Sequence, residues 1–312
     1  MADPIEIRDP SDPRLDDFRD LTHADRRPDR RPGGRGLVIA EGVPVVERLL
    51  ASDYPLRAVL GVESRLGALA SLLADQPAPV YRASAEVMSA AVVGFHLNRG
   101  VLASADRLPS QPVEALIGSA TRIAVLEGVN DHENLGSIFR NAAALGVDAV
   151  LLGPNCADPL YRRAVRVSMG HVLSVPFTEL AGSGKGPGAP SAASSPGQRC
   201  GSGPYGAAGS GKSPGAPSAA FEAWPQALTE LQAAGFTVLA MTPHPSALAL
   251  SEVDPARHPR TAVLVGAEGP GLSQEALAGA DLHVRIPMRP GVDSLNVATA
   301  AAIAFAHLTS DL

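Results

Sequence analysis

Residues 121–152 read TRIAVLEGVNDHENLGSIFRNAAALGVDAVLL, and this stretch decides the fold. Ile123 to Leu126 is a short unbroken apolar run of strand length. Asn134 to Leu145 carries helical periodicity, and Gly146 stands where a helix end needs a residue tolerant of the left-handed region. Ala149 to Leu152 is a second apolar run. A strand, a helix and a strand, with both strands apolar on every position, predict a parallel sheet covered on both faces.

The pattern continues downstream. Val172 to Phe177, Phe236 to Met241 and Ala262 to Val265 are further strand candidates, and Glu222 to Ala234 fits a helix between two of them. Upstream, residues 37–110 read as a smaller α/β unit. It has a helix from Glu41 to Ala51, a strand at Ala58 to Val62 and a helix at Ser64 to Leu73. A strand at Val80-Tyr81 and a helix capped by Ser84 complete it. Pro109, Pro112 and Gly118 make residues 106–120 a linker. Residues 1–36 form a polar extension with a locally basic segment, Arg26-Arg27-Pro28-Asp29-Arg30-Arg31. Residues 121–312 are the larger domain.

One segment breaks the alternation. Residues 181–220 are almost wholly Gly, Ala, Ser and Pro, and 181–193 (AGSGKGPGAPSAA) recurs as 208–220 (AGSGKSPGAPSAA) with one difference. Such a composition cannot bury enough apolar surface to offset its ordering entropy, so it reads as a flexible insertion in a surface loop. Gly206 to Ser213 matches the phosphate-binding P-loop pattern. A working P-loop needs a strand before it and a helix after it; here Gly201 to Tyr205 precedes and Pro214-Gly215 follows, so the match is rejected.

Composition narrows the function classes. The net charge of −6 argues mildly against a nucleic-acid partner, although 24 of the 26 basic residues are Arg, the residue suited to planar phosphate contacts. Cys156 and Cys200 are too few for a disulfide framework, and no Cys/His spacing suggests a metal site. No apolar run reaches membrane-span length and the N-terminus has no secretory pattern, so a cytoplasmic protein is expected. His132, His171 and His96 have no evident partner and read as structural or incidental.

Three segments carry polar and glycine residues where an α/β fold places its loops. The first is Asn134-Leu135-Gly136-Ser137-Ile138-Phe139-Arg140-Asn141. The second, Gly266-Ala267-Glu268-Gly269-Pro270-Gly271, follows the strand Val263-Leu264-Val265, and its glycines allow backbone to approach a ligand. The third runs from Ile286-Pro287-Met288 to Ser294-Leu295-Asn296-Val297 and enters a helix of small residues, Ala298 to Ala306. Singly each has an ordinary explanation as a turn, a cap or a solvated Arg.

Together and in this order, they resemble the three motifs of the SpoU (TrmH-like) RNA ribose methyltransferases of the SPOUT class: N-x-G-x-x-x-R, G-x-E-x-x-G, and I-P-M followed by S-L-N-V. The resemblance covers residues 121–180 and 221–312. More weakly, residues 37–105, which open on Ala40-Glu41-Gly42-Val43, resemble the small substrate-binding domain that precedes it. The resemblance implies a deep trefoil knot, S-adenosylmethionine as cofactor, an RNA partner (ribosomal RNA ahead of transfer RNA) and a homodimer. It places Gly266, Gly271, Ile286, Met288 and Leu295 at the cofactor. It makes Arg140 the catalytic arginine, stabilising the developing alkoxide or an adjacent phosphate, with Asn134, Ser294 and Asn296 orienting the ribose and Arg140. Glu268 is expected to hold Arg140 or to act structurally inside the knot. The alternatives are an RNA-binding ribosome-assembly protein with a vestigial cofactor site and, more distantly, a P-loop hydrolase.

Overall fold

A computed structural model of the chain describes residues 4–19, 36–92, 100–180 and 224–309. The repeat, the P-loop match, Cys200, His96 and the basic segment 26–31 lie outside the described residues.

The first unit is a five-stranded mixed sheet. Its elements are β1 (Ile5–Ile7), β2 (Val38–Glu41), α1 (Val43–Leu50), β3 (Leu56–Gly61), α2 (Glu63–Ala68), α3 (Ala70–Leu73), β4 (Val80–Ala83), α4 (Ala85–Ala91) and β5 (Val101–Ala105). The strand order is β1-β4-β3-β5-β2, with β5 antiparallel to both neighbours. Two expectations change here. The extension assigned to residues 1–36 is in part structural: β1 pairs in parallel with β4, and Leu15 and Phe18 are fully buried against the sheet. The helix expected from Glu41 starts only at Val43, because Glu41 still belongs to β2 and Gly42 turns the chain at φ +85°.

The second unit is a seven-stranded, all-parallel sheet, as the apolar strands predict. It comprises α5 (Val113–Ile117), β6 (Arg122–Glu127), α6 (His132–Ala144), β7 (Ala149–Leu152), α7 (Arg162–Val167), β8 (Phe177–Glu179), α8 (Gln226–Ala233), β9 (Thr237–Met241), β10 (Leu248–Ala249), β11 (Thr261–Gly266), α9 (Gln274–Ala278), β12 (Leu282–Arg285) and α10 (Val297–Leu308). The order is β10-β12-β9-β11-β6-β7-β8. The chain lays β6, β7 and β8 outward in one direction, then returns to build β9, β11 and β12 on the other side of β6. Ligands bind in open parallel sheets at the carboxyl ends of strands where the winding reverses.

Two local expectations fail for identifiable reasons. The linker 106–120 contains α5, whose Val113, Leu116 and Ile117 are buried against Leu228 and Leu231 of α8 and the sheet. The strand expected at Val172 to Phe177 is a 3-10 turn at His171–Leu173, and β8 begins only at Phe177. Gly170 at φ +84° redirects the backbone into that turn, and Pro176 offers no N–H to a ladder. One apolar cluster joins the two units: Val38, Val45, Val46 and Leu49 of the first pack with Leu135, Phe139, Val172 and Leu173 of the second.

Candidate functional site

A cavity of about 510 Å³ opens at the carboxyl ends of β9, β11 and β12. Its walls are Met241 and Thr242 after β9, the 266–271 loop after β11, Ile286 and Met288 after β12, and Ser294 to Val297 leading into α10. All five residues expected at the cofactor (Gly266, Gly271, Ile286, Met288 and Leu295) line it, as do Glu268, Ser294 and Asn296.

The glycines of the second motif are required by geometry. A Cβ on Gly266 would lie 2.4 Å from the carbonyl carbon of Gly271 and 2.5 Å from the nitrogen of Leu272, distances that no real side chain tolerates. The loop therefore folds back directly over Gly266. Gly269 and Gly271 have φ of +89° and +71°, the left-handed region that favours glycine. Ala267 and Gly271 close the loop with a hydrogen bond of 3.0 Å between the Gly271 N–H and the Ala267 carbonyl.

The far end of this loop is tethered by a residue that sequence reasoning missed. Glu127 ends β6 and is buried. Its carboxylate accepts hydrogen bonds from the Ser273 N–H and hydroxyl at 2.9 and 2.8 Å, and from the Trp224 indole N–H at 2.8 Å. A carboxylate on an otherwise apolar strand was the available signal.

At the mouth of the cavity Asn296 is the centre of a closed hydrogen-bond set. Its Oδ1 caps α10, accepting from the N–H groups of Ala298 and Thr299 at 3.0 and 3.2 Å. This fixes the amide orientation, because only the oxygen can accept from those groups. The Nδ2 then donates to Asn134 Oδ1 and to Glu268 Oε1, each at 2.7 Å. One residue from each motif thus meets at one point. Here an expectation is corrected: Glu268 holds Asn296, not Arg140. Asn134 presents its oxygen inward, which leaves its two amide hydrogens for another acceptor.

The first motif is organised by α6. Asn134 does not cap this helix; Asp131 does, accepting from the N–H groups of Glu133 and Asn134 at 2.7 and 2.9 Å. Those bonds, the one from Asn134 above all, hold its carboxyl below the usual carboxylate range. Gly136 is a contact residue: a Cβ there would lie 2.8 Å from the Ala164 carbonyl oxygen and 2.9 Å from Val167 Cβ, so α7 packs directly on the α6 backbone. Asn141, which closes the first segment and had no role assigned from sequence, donates from Nδ2 to the Ala298 carbonyl at 3.0 Å and ties α6 to α10.

Arg140 does not line the cavity. It lies six residues, about 9 Å along the helix axis, beyond Asn134, and its side chain is exposed. Ser294 lines the cavity but makes no hydrogen bond with the described residues. Burial pushes the Cys156 thiol up to about 11, which disfavours the thiolate form. Among the described residues there is no group of three or more His, Cys, Asp or Glu that could hold a metal, and no helix long and apolar enough to cross a membrane.

Known proteins are similar to this chain in sequence and in fold. The model of the SpoU rRNA Methylase family matches residues 121–183 and 205–306. A Mycobacterium tuberculosis protein named an uncharacterized tRNA/rRNA methyltransferase is 53% identical over 305 residues, which cover 97% of this chain and 91% of that protein. A Bacillus subtilis 23S rRNA guanosine 2′-O-methyltransferase is 26% identical over 195 residues, 62% of this chain and 60% of its own. Among solved structures, an AdoMet-bound rRNA methyltransferase from Sinorhizobium meliloti superposes with a TM-score of 0.70 at 21% identity, covering 98% of both chains. That likeness supports the fold; the family follows from the sequence matches, whose two segments contain all three motifs. The chain belongs to the SpoU rRNA methylase family of RNA methyltransferases.

Proposed function

We propose that this chain transfers a methyl group from S-adenosylmethionine to a ribose 2′-hydroxyl of RNA, with ribosomal RNA as the substrate class. The observation that carries the reading is the meeting of Asn134, Glu268 and Asn296 at the mouth of a cavity walled by the two glycine- and proline-containing loops. Half-buried Ile286 and Met288 and exposed Leu295 offer apolar surface for an adenosine, and the backbone over Gly266 offers polar groups at close range. The residues fit the cofactor.

The cofactor, when bound, supplies an electron-poor methyl on a sulfonium sulfur. The chain must then hold a ribose oxygen in line, and positioning of this kind can account for much of a rate enhancement. Asn134 and Ser294 face this task with free hydrogen-bonding groups, and Asn296 and Glu268 keep Asn134 in place. Arg140 is always protonated, so its role is electrostatic: it stabilises the charge developing on the ribose oxygen or fixes the neighbouring phosphate. The same reading includes a trefoil knot at the C-terminal end and a homodimer. The outward face of α10, with Thr299, Ile303 and Ala306 exposed, suits a second copy of the chain.

The test is transfer of labelled methyl from S-adenosylmethionine to ribosomal RNA and, separately, transfer RNA, with nucleoside analysis of the product. A 2′-O-methylated nucleoside in the ribosomal pool is expected. Methylation only of transfer RNA would move the substrate class, and a base-methylated product would overturn the ribose assignment.

A further inference from the structure

Arg140 stands apart from the cavity, and His171 has no evident role in the sequence. The fold brings them together with a third group from the first unit. Arg48, on α1, donates from Nη1 to the Met169 carbonyl at 2.7 Å and to the Pro44 carbonyl at 3.2 Å. A Cβ on Gly170 would lie 3.3 Å from Arg48 Cβ and 3.4 Å from its Cδ, so the Arg48 stem lies flat along the 169–171 turn. His171 is the next residue, half-buried, and α6 packs against the same turn.

The charges at this point are of one sign. The His171 imidazole is pushed below its ordinary pKa first by burial, then by Arg48 and by Arg140. No carboxylate contributes. Buried Glu41 faces Arg166 at 4.0 Å, and Glu133 pairs with Arg163. Arg140 makes no hydrogen bond or ion pair with the described residues. Convergence of two guanidiniums and an imidazole without a counter-charge is unfavourable in the free protein, and such perturbed clusters mark sites where an anion binds.

We propose that Arg48, Arg140 and His171 together seat one backbone phosphate of the RNA substrate, so that the first unit contributes directly to placing the ribose. The proposal rests on the RNA reading above and extends it across the seam between the two sheets. Arg48 is already held by the Met169 carbonyl, which leaves the other edge of its planar fork free for phosphate oxygens. A neutral His171 adds a ring N–H donor. The separation of Arg140 from Asn134 along α6, about 9 Å, suits a ribose at one end and an adjoining phosphate at the other.

The experiment measures RNA affinity against salt concentration for the wild-type chain, Arg48→Gln, Arg48→Lys and His171→Asn, beside cofactor affinity and melting temperature. Arg48→Gln keeps a shorter polar side chain but loses the charge and the reach of the guanidinium. It should weaken RNA binding roughly threefold or more and reduce the slope of log K against log salt by about one. Arg48→Lys should restore the slope, and His171→Asn should weaken binding by less. Cofactor affinity and melting temperature should stay at the wild-type values. A wild-type salt slope in Arg48→Gln overturns the proposal alone. So does a loss shared by Gln and Lys that tracks a lower melting temperature, which would make Arg48 structural. A wild-type chain that binds neither RNA pool overturns the functional reading as well.

Discussion

The Asn296 side chain uses every polar valence inside the chain. Its oxygen caps α10, and its two amide hydrogens go to Asn134 and Glu268. Around Arg140 the opposite holds: its guanidinium is exposed, and its neighbours, the Arg48 guanidinium and the His171 imidazole, offer no opposing charge. The first region is built before any ligand arrives and keeps three loops in register. The second has its partners outside the protein. A chain that needs one rigid pocket and one docking point for a charged polymer is expected to divide its polar groups in this way. Preorganised donors cost nothing at the moment of reaction, whereas unpaired cations gain their counter-charge only from the substrate.

The largest effect should come from the open region. Arg140→Ala should lower methyl transfer on the order of 10²–10³-fold, the usual loss when one preorganised charge-stabilising group is removed. Cofactor affinity, measured by titration, should stay within about twofold of wild type, since Arg140 is not a wall of the cavity. If cofactor affinity falls in parallel with transfer, the division between the two regions is wrong.

The closed region should fail through geometry. Gly266→Ala forces a methyl to within 2.4 Å of backbone, and overpacking of this kind costs about 1–3 kcal/mol, occasionally more. Because the loop that must move is the cavity wall, the loss should appear as roughly tenfold or weaker cofactor binding, with a lower melting temperature. Gly136→Ala meets a comparable obstacle at the α6–α7 contact, and Gly136 is not part of the cavity wall. It should destabilise by a similar amount while leaving the cofactor affinity of the folded fraction intact. The pair separates a wall glycine from a packing glycine.

Asn296 sharpens the comparison further. Asn296→Ala removes an N-cap, worth about 0.5–2 kcal/mol, and strands Glu268 and Asn134 without their donor. Asn296→Asp keeps the cap oxygen but sets a carboxylate against Glu268. Two adjacent carboxylates raise one pKa, so this variant should regain stability as pH falls from 7 toward 5, where one of the pair takes up a proton. Thermal melts across that range would show the recovery. A flat profile would mean that the introduced carboxylate and Glu268 move apart and the closed set is looser than its distances imply.

The parts of this molecule that were legible in sequence share a physical cause. Runs such as Ile123 to Leu126 and Val263 to Val265 are apolar at every position because both faces of the central strands are covered, so the parallel sheet could be read directly. The segments that wall the cavity stood out because glycines and polar residues follow the strands, and the individual cofactor positions came from their resemblance to the family's motifs. What stayed hidden depends on long-range partners. Ile5 to Ile7 looks like a tail until β4 supplies its ladder. Val172 and Leu173 are apolar enough for a strand, but the Gly170 turn lays them against α1 and α6 instead. Nothing local could show that Glu268 would meet Asn296, 28 residues away, or that Arg48 would reach a turn 121 residues downstream.

The smallest expected effect tests how the closed region is held from the α6 side. Asp131 caps α6 and so sets the height at which Asn134 meets Asn296. Asp131→Ala should cost about 1 kcal/mol, with Asp131→Asn losing less because Asn retains the capping oxygen. Since the folded-state pKa of Asp131 is depressed, its charge contributes stability that is fully present above the unfolded carboxylate value near 4 and is lost as pH falls through the lower folded value. The gap between wild type and Asp131→Asn should therefore close on acidification. It should also be modest throughout, because the carboxylate is exposed and screened by solvent. Measured by melts between about pH 7 and pH 3, a gap that persists undiminished at the acid end would show that the charge of Asp131 is not what orders the first turn. Asn134 would then owe its position to Asn296 alone.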